Sequence, residues 1–212
     1  MKRAALFDLD GVIVDSEGLY TVFWDSIEHL YPTGIPDFAN AIKGSTIGRI
    51  LQNYPTDAIR NDILDRLHRY EREQMSYEVY PGVTGFIAEL RRKGVATAIV
   101  TSSDDVKMGY LFAQQPELRN LVDIVITGTM VSRSKPDPEG YLLAASRLGC
   151  DPADCWVFED SIQGLQAGRS AGASVVALAT TNPRHKVAPL AGMVLDSWEG
   201  VKPEMLPGFS RP

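Results

Sequence analysis

Short apolar runs recur along this chain at intervals long enough for a helix, and that alternation constrains the fold more than any other feature. The runs are AALF at 4–7, ATAIV at 96–100, DIVIT at 123–127, CWVF at 155–158 and SVVAL at 174–178. Each carries β-branched or aromatic residues and ends in polar or turn-forming ones, which predicts buried strands. The segments between them, 83–93, 104–114, 138–148 and 161–171, read as helices. Strands alternating with helices predict βαβ units and a parallel sheet covered on both faces. A run near Gly192–Leu195 is a candidate for one more edge strand.

Residues 15–78 break this rhythm and contain no strand pattern. Segments 17–31, 44–53 and 57–77 read as helices, with stretches such as DRLHRYERE on solvated faces and YPTGIP at 31–36 as a turn. EVYPGV at 78–83 returns the chain to the α/β body, with Pro81-Gly82 as a natural hinge. The expected organisation is therefore an α/β core of residues 1–14 and 79–212, with a small helical domain, 15–78, inserted after the first strand.

Composition excludes several classes. The 212 residues carry a net charge of -6 with scattered basic side chains, which argues against nucleic acid as a partner. Cys150 and Cys155 fit neither a redox pair nor a zinc site and are expected as reduced thiols. MKRAALFDLD has no apolar leader region, and no run approaches the length of a membrane span. A cytoplasmic, monomeric protein with no membrane partner is expected. His29, His68 and His185 are scattered and read as surface residues.

The strand ends carry the chemistry. Asp8 and Asp10 follow the first strand; Thr101, Ser102 and Ser103 follow the second; Lys135 lies in SKPDPE after the third; Glu159, Asp160 and Ser161 follow the fourth. In a parallel sheet these lie on one edge, where ligands bind. Two carboxylates ~4 Å apart repel by about 4 kcal/mol at an effective dielectric near 20. A hard divalent cation resolves that repulsion, and Mg2+, which takes oxygen ligands and substrate phosphate, suits this donor set. Thr101 and the amides after it offer donors to a phosphate, and Lys135 adds a positive charge. One acid is then free to attack a phosphoryl group and another to move protons. Gly164, Gly168 and Gly172 recur every four residues and read as a packing stripe, not a nucleotide loop.

DxDGxxxDSE, a strand ending VTSS, KPDPE and FEDS, in that order, resemble the haloacid dehalogenase-like superfamily, in particular its phosphatase and β-phosphoglucomutase subgroup. The resemblance implies a Rossmann-like core with a helical cap. It implies Asp8 as nucleophile, Asp10 as general acid/base, and Thr101, Ser102 and Lys135 as phosphoryl-binding residues. It also implies Mg2+ held by Asp8, Asp10 (through its carbonyl) and Asp160, with Glu159 assisting. The cap of this family supplies specificity, and IKGSTIGRIL at 42–51 resembles its cap loop, with Lys43, Gly44 and Arg49 as candidates to meet substrate, a second phosphate or a sugar oxygen.

The implied activity is hydrolysis of a small phosphomonoester of the sugar-phosphate type, with a hexose-phosphate mutase as the alternative. Tyr20 stands where the mutases carry a histidine, which favours the phosphatase. A phospho-accepting signalling domain also uses acids, a hydroxyl and a lysine, but is shorter and lacks a helical insert. The final segment, DSWEGVKPEMLPGFSRP, carries no readable motif.

Overall fold

The computed structural model of the chain describes residues 2–209; Met1 and residues 210–212, which end the expected core domain, lie outside the described range. Six strands, β1 (Ala4–Phe7), β2 (Ala96–Val100), β3 (Ile124–Ile126), β4 (Cys155–Glu159), β5 (Ser174–Leu178) and β6 (Met193–Leu195), form one parallel sheet in the order β3-β2-β1-β4-β5-β6. From β1 the chain builds outward through β2 and β3, then crosses to the other side for β4, β5 and β6. The direction of winding therefore switches between β1 and β4, and in such sheets the crevice at the switch point receives the ligand. The register there is fixed by Phe7 opposite Phe158.

Period-two alternation assigns the two faces. Ala5 and Phe7 face a cluster with Phe86, Phe158 and Trp198, whereas Ala4 and Leu6 face one with Tyr141, Val157 and Ala167. Phe7 and Phe158 stack with centroids 4.5 Å apart, directly behind the acids that follow them. The final segment is part of this layer. Trp198 Nε1 donates to the Val12 carbonyl at 2.7 Å, so the tail closes the sheet behind the first acidic loop.

Four helices lie between β1 and the return to the sheet: α1 (Glu17–Leu30), α2 (Phe38–Ala41), α3 (Ile47–Leu51) and α4 (Asp57–Glu73). They share a separate apolar cluster that includes Phe23, Trp24, Phe38, Tyr54, Ile63 and Leu67. The chain enters and leaves this insert side by side. Asp15 N donates to the Glu78 carbonyl at 2.8 Å, Tyr80 N to that of Ile13 at 2.9 Å, and Val14 bridges Val79. Pro81-Gly82 is not at this crossing; Gly82, at φ 93°, is the N-cap of α5 (Val83–Arg92) and packs against Trp198.

The remaining helices, α6 (Asp105–Gln114), α7 (Pro116–Leu121), α8 (Glu139–Leu148), α9 (Ile162–Ser170) and α10 (Arg184–Val187), connect the strands. Three sequence expectations change. The segment 44–53 forms only the short α3, and α2 precedes it. The third strand is shorter than 123–127, because the Asp123 carboxylate turns back to accept from Thr97 N at 2.8 Å. The helix expected over 57–77 stops at Glu73, beyond which Met75 and Tyr77 enter the sheet core. Among the described residues no helix is long and apolar enough to cross a membrane.

Candidate active site

The turn after β1 is built on Leu9, whose carbonyl accepts from Ile13 N at 2.8 Å and Val14 N at 3.0 Å. Leu9 is fully buried, so the acids on either side of it stay at the rim. Gly11, at φ 74°, gives this turn room: a Cβ there would lie 2.1 Å from Asp160 Oδ2. Thr180 Oγ1 donates to the Gly11 carbonyl at 2.5 Å and Asn182 Nδ2 to that of Asp160 at 3.1 Å, so the loop after β5 buttresses both acidic turns.

Lys135 joins the strand ends. Its Nζ donates to Asp8 Oδ1 and to Glu159 Oε1, each at 2.5 Å. Burial works against its charge, but the two carboxylates outweigh that and hold its proton more tightly than usual. Glu159 is saturated. Oε1 also accepts from Tyr141 at 2.7 Å, and Oε2 accepts from Asp160 N at 3.1 Å, Ser161 N at 3.2 Å and Ser161 Oγ at 3.0 Å. Gly164 leaves space for this carboxylate, since a Cβ there would come within 1.8 Å of it. Gly168 likewise meets Val157, so two members of the glycine stripe serve packing. Gly172 lies past the end of α9 at φ 83°, the left-handed turn that glycine adopts freely after a helix.

Asp8, Glu159 and Asp160 bring carboxylate oxygens within 4.8 Å of one another. Burial, with the charges of Glu159 and Asp10, pushes the Asp8 carboxyl up to about 8 against the pull of Lys135. Burial and the charges of Glu17, Glu159 and Asp8 push Asp160 well above the usual carboxylate range. Asp160 Oδ2 is buried without a hydrogen-bond partner, as is the neighbouring Thr181 Oγ1. An orphaned carboxylate oxygen beside two more acids, in a space kept clear by Gly11, fits a hard cation. With Glu159 saturated by protein donors, Asp8 and Asp160 are the carboxylates with capacity for it.

Asp10 points elsewhere. Both its oxygens accept from Lys107 Nζ, at 2.6 and 2.5 Å, Oδ2 accepts from Ser103 Oγ at 3.1 Å, and Ser16 Oγ also donates to it. Burial raises its proton affinity, but Lys107 and these hydrogen bonds prevail and hold Asp10 below the usual carboxylate range. Lys107 was not expected from the sequence. It is buried on α6, on the face that also carries Leu111, and its ammonium lies 4.5 Å from the ring centroid of Tyr20. A lysine four residues from a leucine on the inner face was the available signal.

Thr101 is buried, and its Oγ1 accepts from Ser103 N at 3.0 Å. Ser102 Oγ donates to the Gly44 carbonyl at 2.7 Å, so this hydroxyl is committed to the insert. Gly44, at φ 82°, sits so close to the core that a Cβ would lie 2.9 Å from Ser161 Oγ. Thr46 N donates to Ser134 Oγ at 3.3 Å and Gln163 Nε2 to the Ala41 carbonyl at 3.0 Å, so the insert is closed on the rim. Lys43 and Gly44 line a cavity with Asp8, Asp10, Thr101 and Ser102. Lys43 is paired with Glu17 at 3.2 Å. Arg49 lies outside that cavity and donates to the Lys135 carbonyl at 3.3 Å. His68, expected at the surface, is instead half-buried and lies 3.1 Å from Asp104 Oδ2; His29 and His185 are exposed. Cys150 and Cys155 are buried free thiols away from the rim, and burial pushes Cys155 up to about 12.

Acids, a hydroxyl and a lysine gathered at the switch point of a parallel sheet beneath a helical insert define a class, and the family match agrees: residues 2–172 match the haloacid dehalogenase-like hydrolases, and the chain belongs to that family. Several of its relatives are named as phosphatases. The bifunctional riboflavin kinase/FMN phosphatase of Arabidopsis thaliana is 26% identical over 99% of this chain, which spans 57% of that protein. Hexitol phosphatase A of Escherichia coli is 29% identical over 83% of this chain and 82% of its own. The β-phosphoglucomutase of Clostridium difficile shares the fold, with a TM-score of 0.80 at 22% identity, covering 96% of this chain and 95% of its own.

Proposed function

We propose that this protein is a Mg2+-dependent phosphatase that hydrolyses a small phosphomonoester of the sugar-phosphate type through an aspartyl-phosphate on Asp8. The observation that carries the reading is the cluster at the β1–β4 switch point: Asp8 held by Lys135 beside Asp160, whose Oδ2 has no protein partner. Mg2+ at Asp8 and Asp160 would neutralise phosphoryl oxygens and the local carboxylate charge.

An Asp8 oxygen attacks phosphorus, the bond to the leaving oxygen breaks, and Asp10 delivers a proton to that oxygen. Water then attacks the phosphoryl group on Asp8, Asp10 takes the water's proton, and inorganic phosphate leaves with the Asp8 carboxylate restored. Lys135 keeps Asp8 oriented, and Thr101 with the amides that follow offers donors to the phosphoryl oxygens. Because Lys107 holds Asp10 ionised, Asp10 is set to act as a base; to act first as an acid it must take up a proton. The helical insert acts as a cap that excludes water, with the crossing at Val14 and Val79 as its hinge.

The test is phosphate release from a panel of phosphorylated metabolites with Mg2+ and with excess chelator. Release that needs the metal supports the reading; no release from any ester overturns it. Isomeric sugar phosphate in place of free phosphate would identify the mutase instead. Tyr20 weighs against the mutase: its hydroxyl is directed to Glu71, 2.8 Å away.

A further inference from the structure

Glu71 lies in DRLHRYERE, the stretch expected to face solvent, yet it is 3% exposed. It follows Ile63 and Leu67 at intervals of four, so it continues the inner face of α4 and reaches the cavity that also holds Asp8 and Asp10. Its Oε1 accepts from Tyr20, and its Oε2 is buried with no partner. A buried carboxylate oxygen without a donor is costly unless something supplies one.

The other charged groups of this cavity are already matched. Lys107 is spent on Asp10, Lys43 on Glu17 at 3.2 Å, and Asp104 accepts from Lys107 N at 2.9 Å and faces His68 at 3.1 Å. Among the described lining residues, a second phosphate on a substrate would therefore meet no free cation and would face the Glu71 carboxylate.

Resting on the phosphatase reading, we infer that Glu71 is the specificity-determining acceptor for the leaving group. The substrate class is a monophosphate whose remote end presents a hydrogen-bond donor, a polyol hydroxyl or an ammonium, and bisphosphates are rejected. Tyr20 positions the carboxylate by holding Oε1, which leaves Oε2 for the substrate donor.

The experiment, run at pH 8 so that Glu71 is ionised, compares glucitol 6-phosphate, glucosamine 6-phosphate, fructose 1,6-bisphosphate and p-nitrophenyl phosphate on the native protein and on Glu71→Gln. The native protein should favour the first two over the bisphosphate by at least tenfold in kcat/KM. The ratio of glucitol 6-phosphate to p-nitrophenyl phosphate should fall at least tenfold in Glu71→Gln. The glucosamine arm separates an ammonium from a hydroxyl as the preferred donor. Equal losses on both esters would mean a structural role and overturn the inference, as would equal use of the bisphosphate. Calorimetric binding of glucitol 6-phosphate and of fructose 1,6-bisphosphate reads the cavity without turnover, so a catalytically silent protein would sink the phosphatase reading while the binding order still decides this one. Should Glu71→Gln fold poorly, the native protein's loss of kcat/KM on a deoxyglucitol phosphate series serves in its place; no loss at any position overturns the inference.

Discussion

Glu159 at the sheet rim and Glu71 in the insert are almost equally buried, at 0% and 3% exposed, but their surroundings differ. Five protein donors, one of them the Lys135 ammonium, satisfy both oxygens of Glu159. Glu71 has one donor and a bare oxygen. At the rim, strand register and two turns thus satisfy Glu159 before substrate arrives and leave the Asp160 oxygen for a cation. The insert's wall leaves an electrostatic need to be met from outside. Burial, which Lys107 and the Tyr20 hydroxyl offset only in part and the Asp104 charge reinforces, pushes Glu71 up to about 7.

Substitutions can break this contrast. The largest effect is expected at the rim. Asp8→Asn should reduce phosphate release by at least about a thousandfold while circular dichroism stays native, because it removes only the attacking oxygen's charge. Lys135→Met comes next: it strands two buried carboxylates, so chemical denaturation should show a loss of ~3–5 kcal/mol.

Glu71 gives a smaller, pH-dependent effect. Its folded-state affinity for a proton is raised from 4.5 to about 7, so the native state holds a proton that the unfolded state has released. Its contribution to stability is therefore largest below about 4.5 and is lost as pH rises through about 7, by on the order of 3 kcal/mol in all. Melting temperatures of Glu71→Gln should consequently gain on the native protein between pH 5 and pH 8; an equal difference at both pH values would place Glu71 in a less buried setting.

Two glycine substitutions give the finest comparison. Gly164→Ala forces a methyl into the Glu159 carboxylate and should cost ~1–3 kcal/mol. Gly48→Ala, in α3 with nothing within 4 Å, should stabilise by up to ~1 kcal/mol. Opposite signs in thermal unfolding are expected; a stabilising Gly164→Ala would mean the rim has slack.

The sheet was legible because parallel strands buried on both faces read as apolar runs, and the rim because each run ends in the residues that form it. Asp8, Glu159 and Asp160 needed only the strand order to meet, and Lys135 needed in addition the loop after β3 that brings it past the end of β2. Asp10 needed more, since its partner Lys107 is fixed by the rotation of a helix rather than by a strand end. Glu71 was hidden for the same reason: among charged neighbours it looks solvated until the Ile63–Leu67 face is extended by four. The four residues of α2 are too few for helical periodicity to register. Trp198 lies in an irregular tail, where no local pattern announces that it packs on Phe7, Phe86 and Phe158.

The side-by-side crossing at Asp15 and Glu78 has a consequence in polymer terms. The entropy lost on closing a loop grows only with the logarithm of its length, ~0.6 kcal/mol for each doubling. Because the two ends of the insert are pinned together by the backbone pairs at 13–15 and 78–80, the sheet feels everything between them as one closed loop. Lengthening or rebuilding the helices inside that loop changes the sheet's folding free energy little, so selection can reshape the leaving-group wall while the acids after β1 and β4 stay where they are.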